Sequence, residues 1–316
     1  MSTQATQPVR NQEKTAPARR ATLVAWICLL IVYVVWGSTY LAIRIGVETI
    51  PPLLLAAARN VLAGVIMFPL GLRHRRATAR RWPSRGEWLG CAVVGIALLV
   101  ANGVVGVGEK TVPSGLAALL VATVPLWLLG FDAGLNHARL GPAPLAGLGL
   151  GLAGVALLSG LGGGSGTASV GGVLTILGAA ALWAFGTIMA GRVTIPSSPV
   201  LASGMELLTG GVALLTLAAA SGEFSSLRLA EVSARSWLAL GYLTVIGSIV
   251  AFSAYGIAIR ALPTATVATY AYVNPVIAVL LGALILSERL TPAMFGGGAL
   301  IVGAVVLVVR RGPPPH

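Results

Sequence analysis

Three prolines of the first half of the chain, Pro113, Pro125 and Pro142, return 150 positions later as Pro263, Pro275 and Pro292. Their neighbours keep the register: Arg139-Leu140-Gly141-Pro142 is answered by Arg289-Leu290-Thr291-Pro292, and Ser114 to Ala118 by Thr264 to Ala268. Upstream the spacing becomes 147, which sets Trp36 on Trp183, Pro52 on Pro199 and Arg59 on Glu206. One loop absorbs a slip of that size. A duplicated chain must fold as two copies of one unit, and their relative direction depends on how many times each copy crosses a membrane.

Membrane crossing follows from composition. With 56% hydrophobic and 9% charged residues, a chain of 316 has more apolar surface than a water-soluble core of that size can hide. Apolar stretches near the ~20 residues that span a bilayer lie at about 23–45, 52–72, 88–107, 113–131, 142–161, 172–190, 200–220, 236–259, 263–286 and 292–309. Five fall in each half, and because five is odd the second copy enters the bilayer inverted. The expected fold is an all-α integral membrane protein of ten transmembrane helices in two inverted five-helix repeats. The chain then divides into a polar tail (1–20), a first repeat (21–161), a Gly/Ser-rich linker (162–171), a second repeat (172–309) and a short tail (310–316).

A net charge of +12 invites a nucleic-acid reading, but its placement gives a topology instead. With a cytoplasmic N-terminus, the inner loops and tails hold 15 of the 21 Lys and Arg residues and the outer loops only Lys110, Arg228, Arg235 and Arg289. Both termini are therefore expected in the cytoplasm of a cell whose plasma membrane holds the chain, with the 162–171 linker outside. The run Arg73-His74-Arg75-Arg76 suits anionic headgroups better than nucleic acid. No secretory signal is evident before residue 20, and Cys28 and Cys91 read as small packing residues within spans.

Polar and aromatic residues inside the spans fall on faces. Tyr33, Trp36, Gly37, Tyr40 and Arg44 share one side of the first span, with Ser38 beside them. Ser248, Phe252, Tyr255 and Ile259 do so on the eighth, Thr266, Tyr270 and Asn274 on the ninth, and Trp183 and Thr187 on the sixth. Each alone suits interhelical bonding; stripes on several helices together suit a shared cavity, to which Asn102 and Trp127 also belong. Arg59 and Glu206 are charges at membrane depth, each about 10 Å from opposite surfaces of a ~30 Å core, which places them too far apart to pair. Arg59, with Arg44, Glu48, Glu109 and Lys110, reads as an outer mouth; Glu206, with Arg192 and Arg260, as an inner one. A lone carboxyl at that depth is a candidate for proton coupling, and equally for a hydrogen-bonded structural acid. For Arg44 and Glu48, an i,i+4 pair at a helix end is as good a reading as a substrate role.

Pro125 and Pro275 fall within spans, where each removes a backbone donor and leaves a carbonyl for a neighbour or cavity to satisfy. Thr291-Pro292 reads as an N-cap followed by a first helical residue. Gly149 to Gly154 matches G-x-G-x-x-G, yet it lies in the fifth span with no strand before it and reads as a packing motif. Gly147, Gly151, Ala299 and Gly303 have small-xxx-small spacing for close helix contact or a homodimer interface. Three His and two Cys give no metal cluster, no Walker sequence or nucleophile elbow is present, and no cofactor is expected.

Taken as a set, Trp36 to Arg44 (WGSTYLAIR), Pro51-Pro52, Ala58-Arg59, Pro113 to Leu119 (PSGLAAL), Pro125-Leu126-Trp127 and Ser287 to Thr291 (SERLT) resemble the EamA family of drug/metabolite transporters. The resemblance runs from about residue 23 to 309. It implies ten helices in inverted repeats, a central cavity lined mainly by spans 1, 3, 4, 6, 8 and 9, and export of amino acids, related metabolites or drugs. The family's Glu-Arg-Leu motif survives at Glu288, but its first-repeat counterpart is Ala138. The expected function is secondary-active export of small amphiphilic metabolites across the bilayer, driven by a gradient and not by catalysis. Trp36, Ser38, Tyr40, Asn102, Trp127, Trp183, Tyr255, Tyr270 and Asn274 are its candidate cavity residues, and Arg44, Arg59 and Glu206 its candidate gating or coupling charges. Import, exchange and a non-transporting scaffold stay open at this level.

Overall fold

The computed structural model describes residues 15–76, 82–135, 141–158, 168–262, 264–267 and 269–310. Ala138, Pro263 and most of the linker lie outside them. Every regular element among the described residues is helical: α1 (Thr15–Gly46), α2 (Pro52–Arg76), α3 (Arg85–Gly108), α4 (Ser114–Val121), α5 (Val124–Leu135), α6 (Pro142–Leu158), α7 (Val170–Ala190), α8 (Pro199–Ala220), α9 (Glu223–Ser226), α10 (Ala234–Tyr242), α11 (Ala251–Ala261), α12 (Thr264–Val267), α13 (Tyr270–Leu286) and α14 (Pro292–Arg310). A 3-10 turn (Leu229–Glu231) precedes α10, and a π-helical segment (Leu243–Val250) joins α10 to α11 without a break.

The helices start where capping chemistry allows. Ser84 and Glu87 form a capping box on α3, with Glu87 N donating to Ser84 Oγ (3.2 Å) and Ser84 N to Glu87 Oε2 (2.7 Å). Ser169 and Ser233 cap α7 and α10 through their hydroxyls. Thr291 Oγ1 accepts from Met294 N at 3.3 Å, so α14 starts at the expected Thr-Pro signal.

Among the described residues, seven helical stretches are long and apolar enough to cross a membrane: Thr22–Gly46, Pro52–Arg73, Arg85–Gly108, Ser114–Leu135, Val170–Ala190, Pro199–Ala220 and Ala234–Ala258. The fifth, ninth and tenth stretches of the sequence form shorter apolar helices, Leu145–Leu157, Val273–Leu286 and Pro292–Leu307. Large apolar side chains such as Leu23, Trp26, Leu30, Leu174, Val212, Leu238 and Leu284 point outward and exposed. Such a surface needs a bilayer to cover it.

The helix pairings repeat under exchange of the halves. α2 lies against α8 and α6 against α14, while α1 with α11 and α13 is answered by α7 with α3 and α5. The match extends to single contacts at the α2–α8 crossing. A Cβ built on Gly64 would meet Leu208 N at 2.9 Å, and one on Gly211 would meet Val61 N at 3.0 Å; Gly64 is the mate of Gly211, and Val61 of Leu208. Only glycine permits that approach. At the second crossing, Gly154 faces Ile301 and Gly151 faces Ala304, again as mates, so these small residues of α6 serve packing within the chain.

The two interrupted helices differ. α4 and α5 are separated by Ala122 and Thr123, with Pro125 in the first turn of α5, where its missing N–H costs no helical bond. In the second half the break falls earlier, between α12 and α13, and Pro275 lies inside α13. Glu288 explains part of the difference. Its Oε1 accepts from Ser114 N (2.8 Å) and Ser114 Oγ (2.9 Å), and its Oε2 from Gly115 N (3.2 Å), which places a carboxylate on the N-terminus of α4. Ser287, left-handed at φ 55°, turns the chain so that Glu288 can reach back.

Candidate functional site

α1, α2, α3, α4, α5, α7, α11 and α13 surround one cavity of about 190 Å³. Both halves of the chain supply its wall. Trp36, Tyr40, Trp183, Phe252 and Tyr270 contribute ring surface, Ala118, Ala122, Ala179 and Ala180 leave the space, and Thr39, Arg59, Asn60, Asn102 and Asn274 are its polar groups. Cavities of ~150 Å³ hold a benzene ring, so this one takes a ligand of roughly amino-acid size.

One end of the cavity is an aromatic cluster. Trp36 stands 5.5 Å from Phe252, 5.2 Å from Tyr255 and 5.1 Å from Tyr270 between ring centroids, with Phe252 and Tyr270 edge-on. Below it the Tyr33 hydroxyl bonds Thr269 Oγ1, tying α1 to the turn before α13. With its amide nitrogen facing them, Asn274 donates to the main-chain carbonyls of Tyr33 (3.2 Å) and Tyr270 (3.1 Å). The same residue thus joins helices and lines the cavity. Pro275, inside α13, lacks the N–H that would bond the carbonyl of Ala271, and Ala271 also lines the cavity.

The other end holds Arg59, which is buried. Its Nε donates to Ser248 Oγ at 2.9 Å and its Nη1 to Asn102 Oδ1 at 3.1 Å. Ser248 reaches it from the π-helical segment, whose extra residue per turn re-aims this stretch of the helix. Gly247 beside it keeps the space open: a Cβ there would come within 3.5 Å of Arg59 Nη2 and 3.2 Å of Thr39. A small pocket on the far side of Arg59, of about 10 Å³, shares Ile43, Arg59 and Asn102 with the main cavity.

The cavity therefore brings together Trp36, Tyr40, Arg59, Asn102, Pro125, Trp183, Tyr270, Asn274 and Pro275 of the residues singled out in the sequence. It does not bring in five others. Ser38 bonds the Tyr242 hydroxyl and donates to Val35 O; Trp127 stands beside Phe131 near the surface; Tyr255 packs behind Trp36. Arg44 donates to the main-chain carbonyl of Glu109. Glu206 lies half-buried on α8, its main chain close against Gly95 of α3. Sequence reading missed Thr39 and Asn60, although Asn60 directly follows Arg59 in an apolar helix and was visible as a second polar residue at that depth.

An all-helical membrane protein with a central ligand-sized cavity shared by two related halves has the form of a solute transporter. The chain matches the EamA-like transporter family over residues 23–160 and 170–310, and it belongs to that family. It is 39% identical over 293 residues to the uncharacterized inner membrane transporter YedA of Escherichia coli K12, covering 92% of each chain. It is 27% identical to a probable amino-acid metabolite efflux pump of the same organism (90% of this chain, 94% of that one). It is 28% identical to a probable terminal-alkyne amino-acid exporter of Streptantibioticus cattleyicolor (90% and 92%). A crystal structure with TM-score 0.58 and 23% identity, covering 92% of this chain and 97% of its own, shares the fold.

Proposed function

We propose that the protein is a secondary-active exporter of small amphiphilic metabolites, working by alternating access. In this reading its ten apolar helices form two inverted five-helix repeats, both termini are cytoplasmic, and the repeats rock about the shared cavity in a prokaryotic inner membrane. The observation that carries it is the cavity itself, walled from both repeats, mostly apolar, with a few convergent polar groups. A scaffold without transport would have packed that volume. The efflux and exporter names of two relatives favour the outward direction.

Purified protein in liposomes should catalyse gradient-driven exchange of a small amphiphile from a metabolite panel, and compounds that are moved should raise the melting temperature. A panel that neither shifts the melt nor crosses the membrane contradicts the reading. The topology has its own test: a cysteine at Ser165, in the linker, should react with an impermeant thiol reagent applied outside intact cells. Labelling only after lysis would refute the inverted arrangement.

A further inference from the structure

We infer that the cavity recognises its ligand through a carboxylate, held at Arg59, with the ligand's apolar body against Trp36, Tyr40, Trp183 and Tyr270; this names a substrate class and rests on the transport reading above. Arg59 is only 4% exposed, and both protein acceptors of its guanidinium, Ser248 Oγ and Asn102 Oδ1, are neutral. Its Nη2 donates to no group among the described residues. No Asp or Glu occurs among the described residues that line the cavity, so they give its wall a positive charge with no negative one. Glu109 and Glu206 both lie off this wall: Glu109 follows α3 near Arg44, which bonds its main-chain carbonyl, and Glu206 is on α8.

An arginine stays charged under any physiological condition, so this cation cannot be relieved by losing its proton. A buried guanidinium held by two neutral bonds, with Nη2 free of a protein acceptor, is a preorganised site for a ligand carboxylate. The apolar remainder of the cavity then asks for a ring or short alkyl chain attached to that acid. An ammonium group finds no carboxylate there and gains only ring faces.

The test uses matched pairs on the purified full-length chain: phenylacetate against phenylacetamide, hexanoate against hexanamide, and phenylalanine against phenylalaninamide, with phenethylamine as the cation. Calorimetric Kd values should favour each acid over its amide by roughly 10- to 100-fold, the range of a hydrogen-bonded charge over a neutral group. Arg59→Gln should erase that preference, whereas Trp183→Ala should weaken acid and amide together. If Arg59→Gln does not accumulate, Arg59→Lys, which keeps the charge but loses the planar fork of donors, should still narrow the gap by a few-fold. Amides or phenethylamine binding as tightly as the acids would overturn the proposal while leaving the transport reading intact. Failure of every probe to bind at millimolar concentration would overturn the cavity reading beneath it.

Discussion

Arg59 and Glu206 hold the same position in the two repeats, yet Arg59 lines the cavity and Glu206 does not. Their neighbours show the same split. Trp36 and Trp183, and Pro125 and Pro275, are mates that both reach the cavity, whereas Tyr40 lines it and its mate Thr187 is exposed. Where the duplication meets itself, at the α2–α8 and α6–α14 crossings, mates make equivalent contacts. Away from those crossings the two copies are free to diverge, and among the described residues the one charge on the cavity wall comes from the first. Duplication thus sets the scaffold, and single substitutions upon it set the chemistry.

The largest effect should follow from breaking the symmetric part. Gly64→Leu and Gly211→Leu each force a side chain onto a facing backbone nitrogen and should destabilise by about 3 kcal/mol or more, beyond typical overpacking because backbone is the obstacle. Melting temperatures in detergent should fall by similar amounts for both. A large loss at one and none at the other would mean that the crossing is not two-fold.

The next effect concerns the divergent part. Arg59→Gln should cost about 1.5 to 3 kcal/mol in acid binding, while Glu206→Gln leaves Kd within about two-fold, because its carboxyl does not line the cavity. Equal losses from both would place Glu206 in the site. Smaller still is the capping difference. Glu288→Ala removes three hydrogen bonds from the start of α4 and should lower stability by about 1 to 2 kcal/mol, read as a shifted melt with ligand Kd unchanged. α12, whose register partner for Glu288 is Ala138, is only four residues long, half the length of α4. The smallest effect is expected at Glu109, whose two carboxyl oxygens are buried without donors. Burial pushes the Glu109 carboxyl well above the usual carboxylate range, so Glu109→Gln exchanges one uncharged polar group for another of the same shape and should change stability by less than about 1 kcal/mol. A severe loss would reveal a partner for that carboxyl.

The repeat register and the apolar stretches were legible because each depends on local sequence: prolines mark turns, and a span is a matter of length. The cavity was legible in part. The stripe on α1 includes Trp36 and Tyr40, which line the cavity, but a stripe does not say how far along the helix the cavity ends. Phe252 lines it, while Tyr255, one turn further on the same stripe, stacks behind Trp36. Ser38 sits next to the stripe and finds Tyr242 on another helix, a contact between residues 204 apart in the chain. The π-helical segment that delivers Ser248 to Arg59 leaves no periodicity signal, since it adds one residue per turn inside a continuous apolar run. Both prolines fall within apolar stretches of the sequence, which does not distinguish Pro125, beside the break before α5, from Pro275, inside α13 and after the break.

The central claim, that one cavity walled by both repeats opens in turn to each side of the membrane, can be met directly. Single cysteines at Ala122 and at Ala179, wall residues from the two repeats, would be placed in a chain carrying Cys28→Ala and Cys91→Ala. Right-side-out and inside-out vesicles would then be treated with an impermeant thiol reagent. Alternating access predicts that both cysteines react from either face and that phenylacetate slows the reaction in both preparations. Labelling of both from one face alone, or from neither, would contradict it.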